Sequence, residues 1–192
     1  MPPTLPLLFL ISGLPRTGKN RAGVILATHF NGDHFALSDI LKIETHKHYG
    51  LSEDLSIFHF EEIKDVPNDV FGGLTPREAY INFSEKIIKP KFGKSYLGER
   101  VLQRVNRNKR NKTSSIISGV GFIEEVMPLI ECVEPAQTIH ITIIREDAPS
   151  TNLQDSRHKL CLADLGVSEL EIGTSDKVKF ITQVERYISQ KF

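Results

Sequence analysis

LLFLISGLPRTGKNRAGV, residues 7–24, runs from an apolar strand through a glycine loop into the start of a helix. Within it, Gly13, Gly18 and Lys19 have the G-x-x-x-x-G-K spacing of a loop that binds phosphate. The residue types follow from the chemistry. Glycines let the backbone curl so that successive N–H groups face inward, and a helix starting near Gly18 adds the positive end of its dipole. Lys19 then reaches the β- and γ-phosphates as a point charge. The expected cradle is Gly13, Leu14, Pro15, Arg16, Thr17, Gly18, Lys19 and Asn20. Asn20 stands where the motif ordinarily ends in a Ser or Thr that holds Mg²⁺.

Around this stretch the chain has the composition of an ordinary globular domain. It has 192 residues, 40% hydrophobic and 25% charged, and a chain of that length buries about 70% of its unfolded surface. One domain over 1–192 is the simplest organisation. Charge is balanced, 24 Lys+Arg against 24 Asp+Glu, so no global field points to nucleic acid or a membrane surface. Two cysteines, Cys132 and Cys161, are too few for a disulfide framework and suit a reducing, cytoplasmic setting. Leu5–Ile11 leads into the glycine loop, not into a cleavage site, and reads as a buried strand.

Apolar runs at 6–12, 34–37, 114–118, 137–144 and, weakly, 169–172 predict strands. Helical patterns fill 18–29, 38–49, 76–89, 95–107, 121–132 and 175–190. Thr75-Pro76 with Glu78 predicts an N-cap, Pro at the first helical position and a capping box. Strands alternating with helices imply an α/β fold of three layers with a central parallel sheet of about five strands. Ligands of such sheets sit at the carboxyl ends of the strands, where the glycine loop lies. Residues 50–74 form a connector without clean periodicity, and residues 86–112 carry ten basic side chains against the single acid Glu99. That basic stretch is either a solvated helix face or an electropositive wall toward a phosphorylated substrate. No interleaved aromatics support nucleic-acid stacking.

Four stretches carry a resemblance: ISGLPRTGKN (11–20), FALSDILKIETHKHYGL (35–51), GLTPREAYINFSEKIIKPKFG (73–93) and IISGVGFIEEV (116–126). Together they resemble the phage-type deoxynucleoside monophosphate kinases, a P-loop family that moves a phosphoryl group from ATP to a deoxynucleoside monophosphate. The Thr-Pro-Arg-Glu block at 75–78 is the most discriminating part. The first two stretches are also similar to animal phosphomevalonate kinases. The resemblance implies a P-loop NTPase-like fold, ATP and Mg²⁺ as cofactors, and a nucleoside monophosphate as substrate, with a homodimer left open. It implies phosphate binding through Lys19, an acceptor phosphate held by Arg77, and a lid arginine at Arg145, with Arg157 a weaker candidate. Asp39, Lys42 and Glu85 would border the monophosphate pocket, although the Asp39/Lys42 spacing equally suits a surface salt bridge and Glu85 a local pair. Residues 50–112 would form the monophosphate-binding insertion and about 146–160 the lid.

The fourth stretch departs from the family's pattern. Gly119 and Gly121 stand where the family has a strand-end aspartate and an arginine, and Asn20 replaces the usual hydroxyl or acid. The protein therefore offers no expected metal ligand. Losing one such positioned charge typically costs about 10²–10³ in rate. Two expectations follow: a weakened kinase, or a relative that binds nucleotide or a protein partner without turnover.

Overall fold

Leu8, Phe9, Leu10 and Ile11 are all fully buried, the signature of a strand covered on both faces. In the computed structural model, which describes residues 7–15, 17–52, 54–144, 160–173 and 176–191, they form β1 (Leu8–Gly13). The other strands are β2 (Asp33–Ala36), β3 (Ser115–Ser118), β4 (Thr138–Ile144) and β5 (Ser168–Gly173). They make one five-stranded sheet of order β2-β3-β1-β4-β5, parallel at every pairing. This is the three-layer α/β architecture expected of a P-loop kinase fold. Each strand lies within two residues of its apolar run.

The helices are α1 (Lys19–Phe30), α2 (Leu37–His48), α3 (Pro76–Phe83), α4 (Lys89–Phe92), α5 (Tyr96–Arg110), α6 (Ile123–Val133) and α7 (Lys177–Lys191). Side chains alternate across β1 and divide the core in two. Leu8 and Leu10 meet Val101 and Val105 of α5 and Val126 and Leu129 of α6. Phe9 and Ile11 meet Leu26 of α1 and Phe180 and Val184 of α7. The helix after β1 thus covers one face and the helix after β3 covers the other. Their loops part between two adjacent strands, and that parting opens a ligand crevice.

The capping box at α3 forms as expected. The Glu78 N–H donates to Thr75 Oγ1 at 3.1 Å, and the Thr75 N–H donates to Glu78 Oε2 at 2.8 Å. The helix expected over 76–89 is corrected in one respect: α3 ends at Phe83, residues Ser84–Ile88 take a π turn, and α4 carries the axis on to Phe92. The connector adds a satellite core of Phe60, Phe71 and Ala79 beside Tyr49 and Leu74. Beside it the buried His46 of α2 hydrogen-bonds Tyr80 Oη at 3.1 Å, and burial pushes that phenol up to about 12. Among the described residues no helix is long and apolar enough to cross a membrane.

Candidate phosphate-binding site

The loop between β1 and α1 depends on two glycines. Gly13 has φ +139°, and a Cβ there would lie 2.5 Å from the Ile143 carbonyl oxygen of β4 and 3.0 Å from Thr17 Oγ1. Gly18, with φ 90° and ψ 20°, is the left-handed N-cap of α1 and has no side chain to cap it. The first intrahelical bond of α1 runs from Ala22 N–H to the Gly18 carbonyl at 2.9 Å. The amides of Lys19, Asn20 and Arg21 come before it, at the positive end of the helix dipole.

The loop is braced from inside. Thr17 is 2% exposed, and its hydroxyl donates to the Leu14 carbonyl at 2.9 Å. Lys19 folds back over the same turn, its Nζ donating to the carbonyls of Gly13 at 2.9 Å and Leu14 at 2.6 Å. The ammonium is therefore held against the mouth of the loop and does not extend into solvent. Gly13 and Gly18 take the positive-φ conformations that let the loop curl, and Arg16 lies outside the described residues.

At the neighbouring strand end, the Ser118 hydroxyl donates to Asn20 Oδ1 at 2.9 Å, and His34 Nε2 lies 3.0 Å from Ser118 Oγ. Burial holds His34 below its ordinary value, with Arg104 adding to this and Asp39 and Asp33 opposing it. Asp33 in turn accepts both arms of Arg104, at 2.7 and 2.5 Å, and Asn108 Nδ2 at 2.9 Å. The Arg104 fork holds Asp33 below the usual carboxylate range, against the cost of its burial, with Asn108 assisting. That fork ties α5 to β2.

Of the residues expected to border the monophosphate pocket, Asp39 and Lys42 come together: Lys42 Nζ is 3.8 Å from Asp39 Oδ1 and makes a short ion pair with Glu61 of the connector. Arg77 lays its fork on Asp65, with Nε at 2.6 Å and Nη2 at 3.4 Å from the two carboxylate oxygens. Glu85 pairs with Lys89 one helical turn on, at 2.5 Å. Much of the basic stretch is likewise tied to the protein: Arg100 to Glu44, Arg104 to Asp33, Lys94 to Glu124, and Lys109 to the Cys132 carbonyl. These ties favour a helix braced to its neighbours over a bare positive wall. Arg145, Arg157 and nearly all of the expected lid lie outside the described residues. Reading the sequence missed His34, Ser118, Glu61 and Asp65. Ser118 ends β3 next to the loop, and the carboxyl end of a strand marks ligand-facing residues in parallel sheets, whereas His34 lies near the start of β2 and reaches Ser118 only through its side chain.

Two positive-φ glycines, the unbonded first-turn amides of α1 and the Lys19 ammonium occur together in this one loop, the donor chemistry a polyphosphate needs. The same surroundings do not fit Mg²⁺. Asn20 Oδ1 already accepts a hydrogen bond, and at Gly119, where a carboxylate is expected, the space a Cβ would take is open. Asp39 Oδ1 is buried without a hydrogen-bond partner, but it lies beside the Lys42 ammonium. A lone oxygen next to a cation does not make a divalent site. Among the described residues no group of three or more His, Cys, Asp or Glu is placed to hold a metal ion.

No protein-family model and no curated protein matches this sequence. Among solved structures, shikimate kinase from Aquifex aeolicus vf5 aligns with a TM-score of 0.41 and 12% identity, over 95% of this chain and 96% of that one. A likeness of that size says nothing about substrate.

Proposed function

We propose that the chain is an ATP-dependent phosphotransferase whose acceptor is a (deoxy)nucleoside monophosphate. The observation that carries the reading is the β1–α1 loop, with Gly13 and Gly18 in positive-φ conformations and Lys19 held across its mouth. In this reading the loop amides and Lys19 grip the ATP phosphates and offset the charge that develops as the γ-phosphoryl moves. Asp39, Lys42 and the connector form the acceptor side. Arg77 exchanges Asp65 for the acceptor phosphate, which its planar fork suits equally well. No covalent intermediate is needed, since positioning and electrostatics supply the catalysis.

The test is ADP formation across a panel of nucleoside and deoxynucleoside monophosphates, with phosphomevalonate included. The expected result is acceptor-dependent ADP that falls at least about 10²-fold in Lys19→Ala. No turnover above the Lys19→Ala background for any acceptor would remove the kinase reading. A second reading, nucleotide binding without turnover, is favoured by the missing carboxylate at Gly119. Calorimetric ATP binding with no ADP formed would establish it.

A further inference from the structure

The position after Lys19 is where a phosphate-binding loop ordinarily supplies an oxygen to Mg²⁺. Here Asn20 is locked into a hydrogen-bonded string with one direction. The Ser118 hydroxyl has a single proton and gives it to Asn20 Oδ1 at 2.9 Å. Ser118 Oγ then accepts from His34 Nε2, 3.0 Å away. The string is built into the packing. Ser118 is fully buried at the end of β3, and Gly23 of α1 has no Cβ because the His34 ring occupies the space one would fill. With its oxygen held by Ser118, the exposed Asn20 in the first turn of α1 keeps its NH₂ to donate. A donor therefore stands where a metal-binding oxygen is expected.

We propose that this loop binds the polyphosphate of ATP through Asn20 as a hydrogen-bond donor, and so binds metal-free ATP at least as tightly as Mg·ATP. The inference rests on the nucleotide-binding reading above and adds what the site recognises: the bare anionic polyphosphate of a nucleoside triphosphate. An amide NH₂ stabilises a phosphate oxygen directly, whereas a cation on that oxygen competes with it and finds no carboxylate partner in the protein.

Isothermal titration of ATP into the full chain, in excess EDTA and in excess MgCl₂, tests this. Wild-type, Asn20→Thr, Ser118→Ala and Lys19→Ala proteins are compared after circular dichroism shows each is folded. Wild type is expected to bind at least as tightly in EDTA as in MgCl₂. Ser118→Ala should weaken metal-free binding about tenfold, the worth of one hydrogen bond to a charged group. Asn20→Thr should reverse the preference, binding Mg·ATP more tightly. Wild-type binding tenfold or more weaker in EDTA overturns the inference and leaves the nucleotide reading intact. An Asn20→Thr preference identical to wild type also overturns it. Absence of binding in both conditions overturns the nucleotide reading and this inference with it.

Discussion

At the scale of single residues the account turns on Gly13. Its φ of +139°, and the 2.5 Å that would separate a Cβ there from the Ile143 carbonyl oxygen, leave no place for a side chain. Gly13→Ala therefore forces the loop away from β4. The strain is expected to cost about 1–3 kcal/mol, lowering the melting temperature by several degrees at about 2–4 °C per kcal/mol for a domain of this size. ATP affinity should fall with it, because the mouth that Lys19 closes is displaced. Thermal denaturation and calorimetry on the same sample check both. An alanine variant with wild-type melting and wild-type affinity would show that the loop does not need this conformation. The glycines and the lysine were readable from spacing alone because the motif is a backbone requirement. Ser118 and His34 were not, since each looks like an ordinary strand residue until β2 and β3 place them beside Asn20.

At the scale of elements, the strands were legible because a parallel sheet covered on both faces needs near-continuous apolar or β-branched runs, and IHITII at 139–144, broken only by His140, is one. The α3 start was legible because its cap is local. The π turn at Ser84–Ile88 was not, because SEKII continues the helical pattern unbroken. Nor were the partners Glu61 and Asp65, which depend on the path of a connector without periodicity. One tie between elements sets a pH dependence. His140 of β4, 1% exposed, bonds Ser12 Oγ of β1 at 2.8 Å and Glu169 Oε1 of β5 at 2.9 Å. Glu169 also accepts the Leu162 N–H at 2.8 Å. Burial holds His140 below its ordinary value despite Glu169, and burial also lowers His34 and His46. Each unfolded histidine therefore binds its proton at a higher pH than the folded one. Their contribution to stability is whole above the free value of 6.5 and is lost as pH falls below it. Melting curves from neutral pH down to about pH 5 should show a falling midpoint, with a shallower slope in His140→Gln. A midpoint that rises on acidification would contradict the assignment.

At the scale of the whole molecule, the switch point between β1 and β3 gathers the loop, the Asn20–Ser118–His34 string and the start of α2 at one end of the sheet. Sheet order cannot be read from residue runs, but once β1 is central and β3 adjoins it, the crevice falls beside the glycine loop. The same topology separates the two sides of the proposed reaction, with the β1–α1 loop for the polyphosphate and α2 with the connector for the acceptor. The central claim is that the main-chain amides of this loop bind a polyphosphate. Amide chemical-shift mapping of the isotopically labelled protein during an ATP titration tests it most directly. The account predicts the largest saturable shifts at the amides of Gly13, Leu14 and 16–20, Pro15 having no N–H, abolished in Lys19→Ala. Saturable shifts confined to another surface, or none at these amides, would contradict it.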